Sequence, residues 1–131
     1  MVREVTQTAA EIFKIVALLP RVVAALPGVE ASRRLTSPQR AARAARRRAL
    51  RAPTRSPDAR ARLCRAIALV DRWMPGGANC LRRSLLEMSL DAGAASERLL
   101  AGFKAGGRRA SGHAWLESHA VTERYDAVIS I

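Results

Sequence analysis

The chain has 131 residues, 49% of them hydrophobic, and a formal charge of +12, which leaves room for one core and little for a second. Only 4% of residues are aromatic, too few for a base-stacking platform, and two cysteines without a scaffold pattern argue against a disulfide-stapled secreted domain. The charge is concentrated, with twelve arginines against the single acid Asp58 in residues 33–65, so a solvated helix face or an acidic peptide partner fits better than nucleic acid.

The first element is a helix over residues 2–19, where Val5, Ala9, Ile12, Phe13, Val16 and Leu19 recur at helical spacing until Pro20 interrupts them. Residues 12–29 are apolar but contain Lys14, Pro20, Arg21 and Pro27, a poor composition for a membrane span. Ser37-Pro38 supplies a cap and first position for an Ala/Arg helix that runs to Leu50 and stops before Pro53. Ser56-Pro57-Asp58 repeats that signal, and Leu63, Ile67, Val70 and Met74 form an apolar stripe before Pro75-Gly76-Gly77. Cys64 lies beside the stripe and is expected to pack in the core.

Cys80 then opens a helix with a broad apolar flank, Leu81, Leu85, Leu86, Met88 and Leu90, with Gly93 in the C′ position expected to end it. Residues 98–104, 112–118 and 125–131 have strand-like composition, separated by Gly106-Gly107 and a tight His119-Ala120 turn. Phe13, Trp73, Phe103, Trp115 and Tyr125 are expected to anchor packing.

The predicted fold is α+β: N-terminal helices and a central, nucleophile-bearing helix packed on a small antiparallel sheet. It is one domain over residues 1–131, with a helical, Arg-rich part at 1–55 and the core at 56–131. No phosphate-binding loop and no zinc-ligand spacing is present, so neither cofactor nor metal is expected.

A cysteine at a helix N-terminus is placed to be nucleophilic, because unpaired backbone N–H groups and the positive end of the helix dipole stabilise its thiolate. His113, on the following strand, has the chemistry of its base. A two-residue His119-Ala120 hairpin puts Asp126 directly opposite His113, where it would orient the imidazole; a different register brings Glu123 there instead. His119 falls in the turn and needs no special role. The Cys80 amide, and less directly the Asn79 side chain, are the oxyanion donors at hand, although Asn79 already has a sufficient task as N-cap.

Cys80-Leu81-Arg82-Arg83-Ser84-Leu85-Leu86-Glu87-Met88, the later Leu99-Leu100-Ala101-Gly102-Phe103, and Gly112-His113-Ala114-Trp115-Leu116-Glu117 resemble the leader peptidase of lasso-peptide biosynthesis. That family is a stand-alone member of the transglutaminase-like, papain-like cysteine protease group. The resemblance spans residues 65–131. It implies cytoplasmic removal of a leader peptide from a ribosomally made precursor, with Cys80 as nucleophile, His113 as base and Asp126 as acid. It also implies a small leader-recognition protein and a separate ATP-dependent macrolactam cyclase as partners. The segment after His113 is shorter than the family's usual strand, loop and strand, and Gly112 stands where alanine is commoner. A transglutaminase-like thiol acyltransferase and a basic binding module without catalysis are the alternatives.

Overall fold

A computed structural model describes residues 2–106 and 111–131. The elements are α1 (Val2–Val16), α2 (Leu19–Leu35), α3 (Pro38–Ala49), α4 (Pro57–Arg72), α5 (Cys80–Leu90), the short α6 (Ala92–Ala95), β1 (Leu99–Lys104), β2 (Ser111–Leu116) and β3 (Ala127–Ser130). The architecture is α+β, as the sequence predicts.

Helix α5 is central and buried on nearly every side, its polar Arg82, Ser84, Glu87 and Ser89 included. Leu85, Leu86 and Met88 are buried among α2, α3, α4 and the sheet, each contributing roughly 1.5–3 kcal/mol by leaving water. The Ala/Arg helix α3 divides by residue type. Ala41, Ala42, Ala45 and Ala49 are buried against the core, and their small size allows α3 to approach α5 closely. Arg40, Arg43, Arg47 and Arg51 form an exposed basic row on the other side.

Pro20 does not end the first helical run. It sits in the first turn of α2, where its missing N–H has no intrahelical partner to lose. Pro27 lies inside that helix, which nevertheless buries Val22 and Val29. The run over Val2–Leu35 is long and apolar enough to cross a membrane by length and composition. Here α2 is packed as a core helix, whereas α1 buries no residue and exposes Val5, Ile12 and Phe13. Phe13 is therefore not a packing anchor, and neither is Trp73, which is 80% exposed beneath the guanidinium of Arg72. Gly93 is likewise not the C′ residue of α5. Asp91 ends that helix and caps α6 through Gly93 N–H, at 2.9 Å.

The sheet has strand order β2-β1-β3, both neighbours antiparallel to β1. Leu99, Ala101, Ala114 and Leu116 are buried on the helical side. The predicted β2–β3 hairpin is not formed: two strands that are both antiparallel to β1 run parallel to each other, and a two-residue turn cannot join parallel strands. Residues 117–126 instead cross from one edge of the sheet to the other. His113 pairs with Gly102, and Gly102 with Val128, so Asp126 is not the cross-strand neighbour of His113. Of the expected Gly106-Gly107 turn, Gly106 has a φ of 144° and Gly107 lies outside the described residues.

Candidate active site

Cys80 is placed by polar contacts on both sides of it. The turn that delivers it needs Gly76 and Gly77, whose φ angles of 86° and 81° disfavour any residue with a Cβ. Asp71, fully buried at the end of α4, accepts the Asn79 N–H at 3.0 and 3.2 Å. Asn79 Oδ1 then accepts the Arg82 N–H at 2.9 Å and caps α5. Behind this, buried Arg82 donates to Asp71 Oδ1 and to Glu30 Oε1, both at 2.6 Å, and to the Gly77 carbonyl at 3.1 Å. Arg33 first, together with Arg82, holds the Glu30 carboxyl down at about 2. An ion-pair network thus fixes the nucleophile loop to α2 and α4. Asp71 could have been noticed in the sequence as the one carboxylate adjoining the α4 apolar stripe.

The half-buried Cys80 Sγ accepts a hydrogen bond from the Ala114 N–H at 3.3 Å. β2 is an edge strand, so this N–H has no strand partner on that side, and the sulfur satisfies it. Cys80, Arg83, Ser84, His113 and Trp115 line one cleft. No hydrogen bond links Cys80 Sγ to the His113 ring, a contact that commonly tightens only when substrate is bound.

His113 lies within a group of three nearly parallel rings. Its centroid is 5.7 Å from that of Trp115 and 6.4 Å from that of Tyr125, while Trp115 and Tyr125 are 5.2 Å apart. Gly102 makes the room for this: a Cβ there would come within 2.5 Å of Tyr125 Cγ. Tyr125, expected to anchor packing, stacks in this group instead, and the importance of Gly102 depends on a strand pairing that sequence does not reveal.

The two candidate acids have different surroundings. Asp126 Oδ2 accepts the Ala105 N–H at 2.6 Å, which holds it at the end of β1. Glu123 lines a second cleft with His113 and Tyr125. Its carboxyl is held below the usual range by Lys104, whose Nζ is 2.6 Å away, with smaller contributions from His113 and the Tyr125 hydroxyl. Asn79 keeps its capping role, and among the described residues its Nδ2 carries no hydrogen bond.

His119 does more than fill a turn. Its Nε2 is 2.9 Å from Oε2 of the buried Glu87 on α5, whose Oε1 accepts from Arg60 Nε at 2.6 Å. Glu87 stands two helical turns beyond Cys80 on the same side of α5, a spacing visible in the sequence. Cys64 adjoins this pair. Burial first, then Glu87, pushes its thiol up to about 12, which leaves it a poor nucleophile.

Residues 22–128 match a family model described as the transglutaminase-like superfamily. The matched region begins inside α2 and takes in the Arg-rich helix, well beyond the motif-bearing residues. No curated protein and no solved structure matches the chain significantly.

Proposed function

This chain belongs to the transglutaminase-like superfamily, and from that premise we propose that it is a cysteine peptidase removing the leader peptide from a ribosomally made precursor during lasso-peptide maturation. The observation that carries the reading is the pairing of Cys80, first residue of α5, with the Ala114 amide next to His113, in one open cleft. The sulfur thus stands at the N-terminal end of α5 with the Ala114 N–H donating to it.

The thiolate of Cys80 attacks the carbonyl at the junction between leader and core. Negative charge builds on that oxygen, near the Cys80 amide and within the reach expected of Asn79 Nδ2. His113, which has taken the Cys80 thiol proton, passes it to the departing core amine as the C–N bond breaks, leaving a thioester on Cys80. Water, deprotonated by His113, hydrolyses the thioester and releases the leader carboxylate. Glu123 serves as the third member, since it shares a cleft with His113; it is paired with Lys104 Nζ at 2.6 Å, just as Asp126 is engaged with the Ala105 amide. The freed α-amine becomes available for ring closure by a separate ATP-dependent macrolactam cyclase.

A small leader-recognition protein presents the precursor, and its docking supplies specificity through effective concentration. The exposed basic row of α3 and the exposed apolar face of α1 are the surfaces available for such partners. The cytoplasm, where such precursors are made, is the compartment this reading requires.

Mass spectrometry of a precursor peptide incubated with the protein and its leader-binding partner tests the proposal. Cleavage at one junction, absent with Cys80→Ala and with His113→Ala, is the expected result. A leader amide formed by transfer to an added amine would favour thiol acyl transfer instead, and an intact precursor with a validated partner present would remove the peptidase reading.

A further inference from the structure

We propose that Cys64, Glu87 and His119 form a binding site for a borderline-soft divalent cation, of which Zn²⁺ is the type, that clasps the segment 117–126 to helices α4 and α5. Sequence spacing gives no hint of it, since the three residues come from three separate elements. The fold brings one ligand atom from each to within 4.8 Å of the others.

The donor set is a thiolate, an imidazole and a carboxylate, the combination that zinc takes in preference to hard cations. Around a tetrahedral ion, with bonds of about 2.0–2.3 Å, ligand atoms lie roughly 3–4 Å apart. Reaching that spacing needs a slight opening of the 2.9 Å contact between His119 Nε2 and Glu87 Oε2 and the closing of ligand pairs that stand as far as 4.8 Å apart. Glu87 can keep Oε1 on Arg60 while Oε2 turns to the ion. On binding, the Cys64 thiol proton is released to solvent and the metal takes its place on sulfur.

The surroundings independently favour a cation. Arg60 is the guanidinium shared by three carboxylates: it pairs with Glu87 and Glu97, and its Nε is 3.7 Å from Asp91 Oδ2. That Asp91 oxygen is buried without a hydrogen-bond partner, in a side chain 1% exposed. Arg55 also stands beside Asp91, so two guanidinium groups serve three buried or half-buried carboxylates and the cluster keeps a surplus of one negative charge. His119 is 44% exposed at the cleft mouth, so an ion has a route in from solvent. Cys64, Glu87 and His119 all line the cleft, so a fourth position would be open to water.

The consequence is structural. Residues 117–126 carry Glu123 and Tyr125 past His113, and a metal bond from His119 would fasten their start to the helices that hold Cys80. The inference does not depend on the peptidase reading, because ion binding is measured directly.

The experiment uses the full-length protein, freed of metal and titrated with Co²⁺ and then Zn²⁺. One equivalent of Co²⁺ should give the intense visible bands of a four-coordinate site with a sulfur-to-metal charge-transfer band, and Zn²⁺ should displace it and raise Tm. Cys64→Ser should remove the charge-transfer band, and His119→Ala and Glu87→Gln should each weaken binding by about 10-fold or more. Cys80→Ala should change none of this. Circular dichroism establishes that each variant is folded, and Cys64→Ser serves as the isosteric control if His119→Ala is not. Absence of stoichiometric binding overturns the proposal, as does binding that survives Cys64→Ser or is lost in Cys80→Ala, since the latter places the ion on the nucleophile.

Discussion

The backbone N–H of Ala114 donates to Cys80 Sγ at 3.3 Å, joining the edge of the sheet to the tip of the central helix. The second sulfur of the chain has no such setting, because burial beside Glu87 pushes the Cys64 thiol up to about 12. The two cysteines should therefore differ in reactivity. With substoichiometric iodoacetamide at pH 7.5, peptide mapping should find the alkyl group on Cys80 in large excess over Cys64, because only thiolate reacts. Equal labelling of the two would contradict the electrostatic distinction between them.

The choice of acid can be separated by two isosteric variants. Glu123→Gln keeps the shape of the side chain but removes the charge facing His113, and should lower kcat/KM for precursor cleavage by about 10²-fold or more. Asp126→Asn mainly perturbs its bond to the Ala105 amide and should stay within about 5-fold of wild type, any loss tracking stability. The reverse pattern would return the role to Asp126 and require the 117–126 segment to rearrange when substrate binds.

Gly102 and Tyr125 provide a coupled pair. A methyl group on Gly102 would come within 2.5 Å of the Tyr125 ring, so Gly102→Ala should cost about 1–3 kcal/mol in urea unfolding. Adding Tyr125→Ala should recover much of that loss, because the clash disappears, and the double-mutant cycle should report a clear coupling energy. Cleavage should remain slow in the double variant, since His113 has lost the ring stacked 6.4 Å from its own. Independent, additive stability losses would mean that the ring does not occupy the space above Gly102.

Helices α1, α3, α4 and α5 were legible from the sequence because caps and periodicity are local signals, whereas α2, with no side-chain cap and with Pro20 and Pro27 in it, was not. Ser37, Ser56 and Asn79 each accept the expected backbone N–H, and Cys80 stands where its spacing put it. The sheet was legible as three short strands but not in its order. Alternation fixes which residues share a face and says nothing about which strand lies in the middle, so the hairpin that set Asp126 against His113 failed on topology. The exposure of Trp73 and Phe13 was illegible for a related reason: an aromatic residue at helical spacing looks the same whether its face is covered or bare. The approach of Cys64, Glu87 and His119 is a property of the tertiary fold alone.

Acid should reveal the network behind the nucleophile. Glu30 has its carboxyl held at about 2, against an ordinary 4.5, by Arg33 first and also by Arg82, and its side chain is 12% exposed. Because the folded-state value is depressed, this group contributes stability that is fully present above about 4.5 and is lost as pH falls toward 2. The gap corresponds to something on the order of 3 kcal/mol. Glu30→Gln should lower the urea midpoint at pH 7, leaving buried Arg82 with Asp71 as its one remaining carboxylate. It should also flatten the decline in stability between pH 4.5 and 2, so that the two proteins converge at the acid end. A variant that stays parallel to wild type across that window would show that Glu30 titrates normally and that Asp71 alone holds Arg82 beneath Cys80.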